Sequence, residues 1–181
     1  MPQAAGDGEN GSVSGVAAER AVQDQAQMVV FKLAGEYYAV DIHQVREIIR
    51  VPEITRVPRT PDFVEGVINL RGSVIPIIDL RKRFGLEAAQ ASDEQRIVVV
   101  EMEDKTVGVI VDAVTEVLRV DRDRIEPPSP YILSLDTQYI TGIARLDDRL
   151  VIMLDVARVL SASEREALAR FEKEPERDGE V

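Results

Sequence analysis

From Met28 to Leu160 the chain is a succession of short apolar runs separated by turn signals. Phe31-Lys32-Leu33 alternates, Ala34-Gly35-Glu36 supplies a turn, and Tyr37-Tyr38-Ala39-Val40 is β-prone, which predicts a hairpin. Ile97–Met102, Glu103-Asp104-Lys105 and Thr106–Val111 write the same hairpin again. Over Asp41–Glu47 the apolar residues Ile42, Val45 and Ile48 fall at threefold spacing, which predicts a helical turn between strands. Gly85, after Leu80-Arg81-Lys82-Arg83-Phe84, marks the end of a second short helix. Val74-Ile75-Pro76-Ile77-Ile78 is apolar at every position, the pattern of a strand covered on both faces. Pro76 has no N–H to give to a ladder, so it is expected at an edge or a bulge. The run EAAQASDEQ at 87–95 reads as a polar loop.

The pattern is duplicated. GVINLRGSVIPIIDLRKRFG (66–85) lies over GIARLDDRLVIMLDVARVL (142–160), pairing Gly66 with Gly142, Leu70 with Leu146 and Asp79 with Asp155 at an offset of 76 residues. AVDIHQVREIIRV (39–51) lies over GVIVDAVTEVLRV (108–120) at an offset of 69, pairing Val45 with Val114, Glu47 with Glu116 and Arg50 with Arg119. An insertion of seven residues around PPSPYILSLDTQY accounts for the difference between the offsets. Each copy holds about five short strands, too few for a flat sheet that hides its edges and one apolar face. Curling each copy into a small barrel hides the edges, and packing two barrels together covers the second face. The expected fold is therefore all-β, with two tandem barrels at about 29–90 and 95–160, short helices and a C-terminal helix.

The ends differ from this body. Residues 1–27 are rich in Gly, Ala, Ser, Gln and acids without an apolar period, and are expected to form a disordered acidic tail. They lack the basic start and apolar block of a signal peptide. After a body spanning 28–162, residues 163–181 predict a helix and charged tail: Ser163 and Glu166 have the form of a capping box, and Pro175 stops the helix. The formal net charge is −11, which repels nucleic acid. No apolar run reaches the roughly 20 residues that span a bilayer, so no membrane insertion is expected and the expected location is the cytoplasm. The chain has no cysteine, which excludes disulfides and thiolate metal sites.

Little here suggests catalysis. His43 is the single histidine, and one His without Cys makes a zinc site improbable. Phosphate-cradling and nucleophile-elbow motifs are absent. Asp79 and Asp155 occupy equivalent places, but each precedes a short helical segment and reads as an N-cap. Arg71 stands apart: it sits in Asn69-Leu70-Arg71-Gly72, and its counterpart is Asp147, which suggests that the fold itself does not require an arginine there. Arg at such a place either pairs with an internal carboxylate or reaches a partner.

VINLRGSVIPIIDLRKRFG (67–85) closely resembles the signature of the CheW family, the coupling proteins of bacterial chemotaxis. Agreement continues at Tyr37 to Ile42, Val45-x-Glu47-Ile48, Pro58 with Pro61-Asp62-Phe63, Gly108 to Asp112, and Thr141-Gly142-Ile143, over about 28–170. The resemblance implies two SH3-like five-stranded β-barrels joined by a hydrophobic seam. It implies a non-enzymatic adaptor, without cofactor or metal, that bridges chemoreceptors (methyl-accepting chemotaxis proteins) to the regulatory domain of the histidine kinase CheA. Such adaptors sit under membrane receptor arrays and can self-associate in rings. Carried over by position, the receptor hairpin tip would meet Val45, Glu47, Arg71 and Val117 in a groove between the barrels, with core packing the alternative for the two valines and a structural salt bridge the alternative for Arg71. The kinase would meet Ile42 and Gly66 on one side and Tyr131 on the other. Glu126 and Pro130 depart from the Arg and Glu that family members often carry there. A paralogous scaffold serving another chemosensory output is the alternative within the family. A small enzyme using Asp79, Asp155 or His43 is the alternative outside it.

Overall fold

A computed structural model describes residues 24–87, 90–130, 138–160 and 164. Its strands are β1 (Gln25–Leu33), β2 (Glu36–Asp41), β3 (Val45–Arg50), β4 (Val64–Leu70), β5 (Ser73–Asp79), β6 (Arg96–Met102), β7 (Lys105–Val111), β8 (Ala113–Asp121), β9 (Ile125–Glu126), β10 (Ile140–Arg145) and β11 (Leu150–Leu154). One α-helical turn, α1 (Leu80–Arg83), and 3-10 turns at Ile42–Gln44, Arg122–Arg124 and Val156–Arg158 complete it. The all-β class with short helices is as the apolar pattern implied. Most of the expected tail at 1–27, and the C-terminal helix apart from Glu164, lie outside the described residues. Residues 25–27 are strand rather than tail, because Gln25, Ala26 and Gln27 pair with Asp121, Val120 and Arg119 of β8. The helical turn expected over Asp41–Glu47 is shorter than its spacing suggested. Asp41 accepts the His43 N–H and starts a three-residue turn, and the chain is already β3 at Val45.

The strands form a six-stranded sheet, β8-β1-β2-β11-β10-β9, and a five-stranded sheet, β3-β6-β7-β5-β4. Their membership does not follow the contiguous division at 29–90 and 95–160. The hairpin β1–β2 joins the strands of the second copy, and the hairpin β6–β7 joins those of the first. The chain changes sheet at two equivalent places, between β2 and β3 and between β7 and β8. Parallel ladders receive the exchanged hairpins: Ile152, Met153 and Leu154 of β11 beside Tyr38, Ala39 and Val40 of β2, and Ile77, Ile78 and Asp79 of β5 beside Gly108, Val109 and Ile110 of β7.

Strand alternation divides the apolar residues into three bodies. Met28, Val30, Ala39, Val120, Ala144 and Val151 fill one side of the six-stranded sheet. Ile68, Ile75, Ile77, Ile97 and Val99 fill one side of the five-stranded sheet. The intervening positions, among them Val29, Phe31, Leu33, Val98, Val100 and Val109, meet in the largest cluster, a seam drawn from both sheets. The unbroken apolar runs are thus strands with two buried faces. Along the seam Phe31, Tyr38, Phe84 and Tyr139 form a chain of rings with centroids 6.1, 6.0 and 4.6 Å apart. No polar or charged residue is buried among the described residues.

Pro76 lies within β5, a strand with neighbours on both sides, and not at a sheet edge or bulge as expected. It is tolerated because it stands opposite Val67 one residue before the ladder to β7 begins at Ile77. The repeat's glycines are structural. Gly66 and Gly142 both sit where the register of their hairpin shifts. Gly66 has φ +146°, and a Cβ on it would come 2.1 Å from the Thr55 carbonyl oxygen. Thr55 and Val67 bridge across that spot with N–H to carbonyl bonds of 2.9 and 2.8 Å.

Candidate functional site

The tip of the β4–β5 hairpin is the two-residue turn Arg71-Gly72, with φ of +53° and +88°. A turn with both residues left-handed matches the twist of its strands and is costly for any residue but Gly, Asn or Asp. Here Asn69 helps by accepting the Gly72 N–H through Oδ1 at 2.8 Å. The turn throws the Arg71 guanidinium onto Glu47 of β3, where Nη1 and Nη2 donate to the two carboxylate oxygens at 2.7 Å each. The hydrogen bond to Glu47 and its charge raise the basicity of Arg71 further. The Arg71 side chain is 74% exposed, so this forked pair is displayed to solvent. β3 and β4 are opposite ends of the five-stranded sheet. A contact between β3 and the turn that ends β4 therefore reports that the sheet curls back on itself.

The six-stranded sheet repeats the device. Arg149, in the β10–β11 hairpin, forms an ion pair with Glu116 of β8, at the sheet's first edge. Glu116 is the repeat counterpart of Glu47. Arg149 stands two residues beyond Asp147, and its guanidinium also lies 4.5 Å from the centroid of the Tyr37 ring. Hydrogen bonding to Arg149, and then to Lys32, lowers the Tyr37 phenol from its ordinary value. The inference drawn from Asp147 is thereby corrected: each copy ties its edge strand to a hairpin with an Arg–Glu pair. The aligned column hides the second arginine because a long, flexible arginine side chain can reach the same carboxylate from a shifted position.

The other predicted site residues divide by environment. Val45 opens β3 and is partly buried against the seam cluster. Val117 lies on β8 in the other sheet, opposite Val29 of β1, and is 50% exposed. Ile42 opens the 3-10 turn at the β2–β3 crossover and packs on the same seam. Gly66 is buried beneath Thr55, so it can shape a surface only through that neighbour. Tyr131 lies outside the described residues. Glu126 pairs with Arg145 at 3.0 Å, and Pro130 is exposed.

The residues weighed for catalysis are occupied locally. Asp79 accepts the Arg81 N–H at 2.9 Å and caps α1, and burial raises its carboxyl above the ordinary value. Asp155 accepts the Ala157 N–H and the Gln44 amide, both at 3.0 Å. His43 is an exposed side chain 2.7 Å from Asp41.

A further tie at the seam carries no signal in the sequence. Asp112, between β7 and β8, receives Arg81 Nε on Oδ1 at 2.8 Å and Nη2 on Oδ2 at 2.6 Å. The same carboxylate takes the Ala34 N–H at 2.8 Å, and the Asp112 N–H donates to the Lys32 carbonyl at 3.0 Å. Helix α1, the second crossover and the β1–β2 turn thus meet on one aspartate. Burial works to raise its carboxyl, but the Arg81 and Ala34 bonds outweigh burial and hold it below the ordinary range.

Two curled sheets with apolar interiors, each with an Arg–Glu pair and an exposed apolar residue, Ile48 or Val117, on an edge strand, define an all-β module whose distinctive chemistry is on its surface. The chain belongs to the CheW-like family: the CheW-like domain matches residues 27–164. It is 36% identical to the Chemotaxis protein CheW of Klebsiella aerogenes over 84% of this chain and 90% of that one. It is 39% identical to the Chemotaxis protein CheW of Bacillus subtilis over 74% of this chain and 86% of that one. A crystal structure of the scaffolding protein TtCheW from Thermoanaerobacter tengcongensis superimposes with a TM-score of 0.71 at 43% identity, covering 77% of this chain and 90% of that one.

Proposed function

We propose that this chain is a non-enzymatic scaffold of chemotaxis signalling that couples chemoreceptors to the histidine kinase CheA on the cytoplasmic side of the membrane. The names of its relatives support chemotaxis and scaffolding. The observation that carries the finer reading is the forked Arg71–Glu47 pair, displayed on an edge strand where the resemblance expects a receptor helical hairpin. Val45 and Val117 give that surface its apolar part. Ile42, the ground shaped by Gly66, and Tyr131 face the kinase. Each contact needs only a modest patch, on the order of 800 Å² per partner, because many act together in an array. The receptor changes kinase output through its different grip on the kinase's states.

The test is co-precipitation of the full chain with a chemoreceptor cytoplasmic fragment and, separately, with CheA. Capture of both is expected; capture of neither would refute the proposal.

A further inference from the structure

We infer that Arg50 and Arg119 are a matched pair of recognition residues, each placed to take a carboxylate from a helical partner beside an apolar anchor. The inference deepens the receptor reading above and rests on it. Arg50 and Arg119 are equivalent positions of the repeat, as are Ile48 and Val117. On β3 the outward residues are Arg46, Ile48 and Arg50; on β8 they are Thr115, Val117, Arg119 and Asp121. Both are edge strands, one in each sheet. Ile48 and Val117 are two of only three large apolar side chains exposed among the described residues, at 38% and 50%.

The neighbouring charges are already engaged. Arg46 is paired with Glu101 at 2.8 Å, and Asp121 accepts a hydrogen bond from Gln25. Arg50 and Arg119, by contrast, are exposed and have no ion pair with any described residue, on a chain of net charge −11. Each edge strand thus offers the same unit, an apolar side chain and a free guanidinium two residues apart.

That spacing identifies the complement. Residues two apart on a strand are separated by about 6.7 Å. On an α-helix, residues four apart are separated by about 6 Å along the axis and share a face. A helix laid along the strand with an apolar residue and an Asp or Glu at i and i+4 therefore matches both groups at once. Arg prefers a carboxylate, which it can grip with two parallel donors. Because the unit occurs twice, the partner is expected to present it twice, as a helical hairpin can.

The test uses the full chain and a chemoreceptor cytoplasmic fragment, with affinity read by calorimetry. Arg50→Glu and Arg119→Glu are each expected to weaken binding about tenfold, and the double variant about a hundredfold, while melting curves stay near wild type. Arg50→Lys and Arg119→Lys should restore only part of the affinity, since Lys keeps the charge but not the two parallel donors, and wild-type binding should weaken with added salt. Wild type binding the fragment while both charge reversals stay within about twofold of it would overturn this inference and leave the proposed function standing. Wild type failing to bind the fragment would overturn both.

Discussion

Asp112→Asn is the sharpest test of how the two sheets are held in relation to each other. The substitution keeps the shape of the side chain but removes the charge that receives the Arg81 fork and supports the Ala34 N–H. Both partners are largely shielded, with side-chain exposures of 19% for Arg81 and 22% for Asp112. Breaking a fully buried pair by neutralising one member costs about 3–5 kcal/mol, because the other charge is left without a partner. Residual solvent access reduces this, so the expected loss is about 2–3 kcal/mol. For a domain of this size that is a fall in melting temperature of roughly 10 °C. The pH dependence gives a second readout. The Asp112 carboxyl is held below its ordinary value in the folded state. Its contribution is therefore fully present above the unfolded-state value and is lost as pH falls through the folded one. The gap between wild type and Asp112→Asn should be constant near neutrality and should narrow below about pH 4. Urea unfolding at several pH values measures both effects. Arg81→Met combined with Asp112→Asn should lose less than the two single losses added together, since no charge is then stranded. A single variant within about 0.5 kcal/mol of wild type at neutral pH would refute the reasoning.

Three further outcomes are expected. Gly66→Ala should destabilise by about 3 kcal/mol or more, because its Cβ meets the Thr55 carbonyl oxygen at φ +146°; a chemical melt near wild type would show that the bulge can relax. Arg71→Glu should leave a folded protein with weakened receptor capture, since the guanidinium is mostly exposed and its partner is Glu47; a collapsed melting curve would make the pair structural. Tyr131→Ser should weaken capture of CheA and spare that of the receptor fragment, and equal CheA affinity in a direct titration would remove Tyr131 from the surface.

Two alphabets in the chain made the fold legible. Alternation and unbroken apolar runs announced short strands buried on one or both faces, and the glycines and aspartates recurring at offsets of 69 and 76 announced two equivalent units. Gly66 with Gly142 and Asp79 with Asp155 do hold equivalent places, as register shifts and N-caps. Arg71 is a polar residue in an apolar stretch of the sequence, and it contacts Glu47, another predicted site residue. Periodicity reports how many faces of a strand are covered, but not by which strand. The exchange of the β1–β2 and β6–β7 hairpins between sheets was therefore decided only by tertiary packing, where each hairpin completes the other copy's sheet and the two meet at a shared seam. The same limit hid the Glu116–Arg149 pair and the Asp112 tie. A guanidinium on a long, flexible stem can serve one carboxylate from several backbone positions, so its partner is set by where the curled sheet brings the hairpin, not by its column in the repeat.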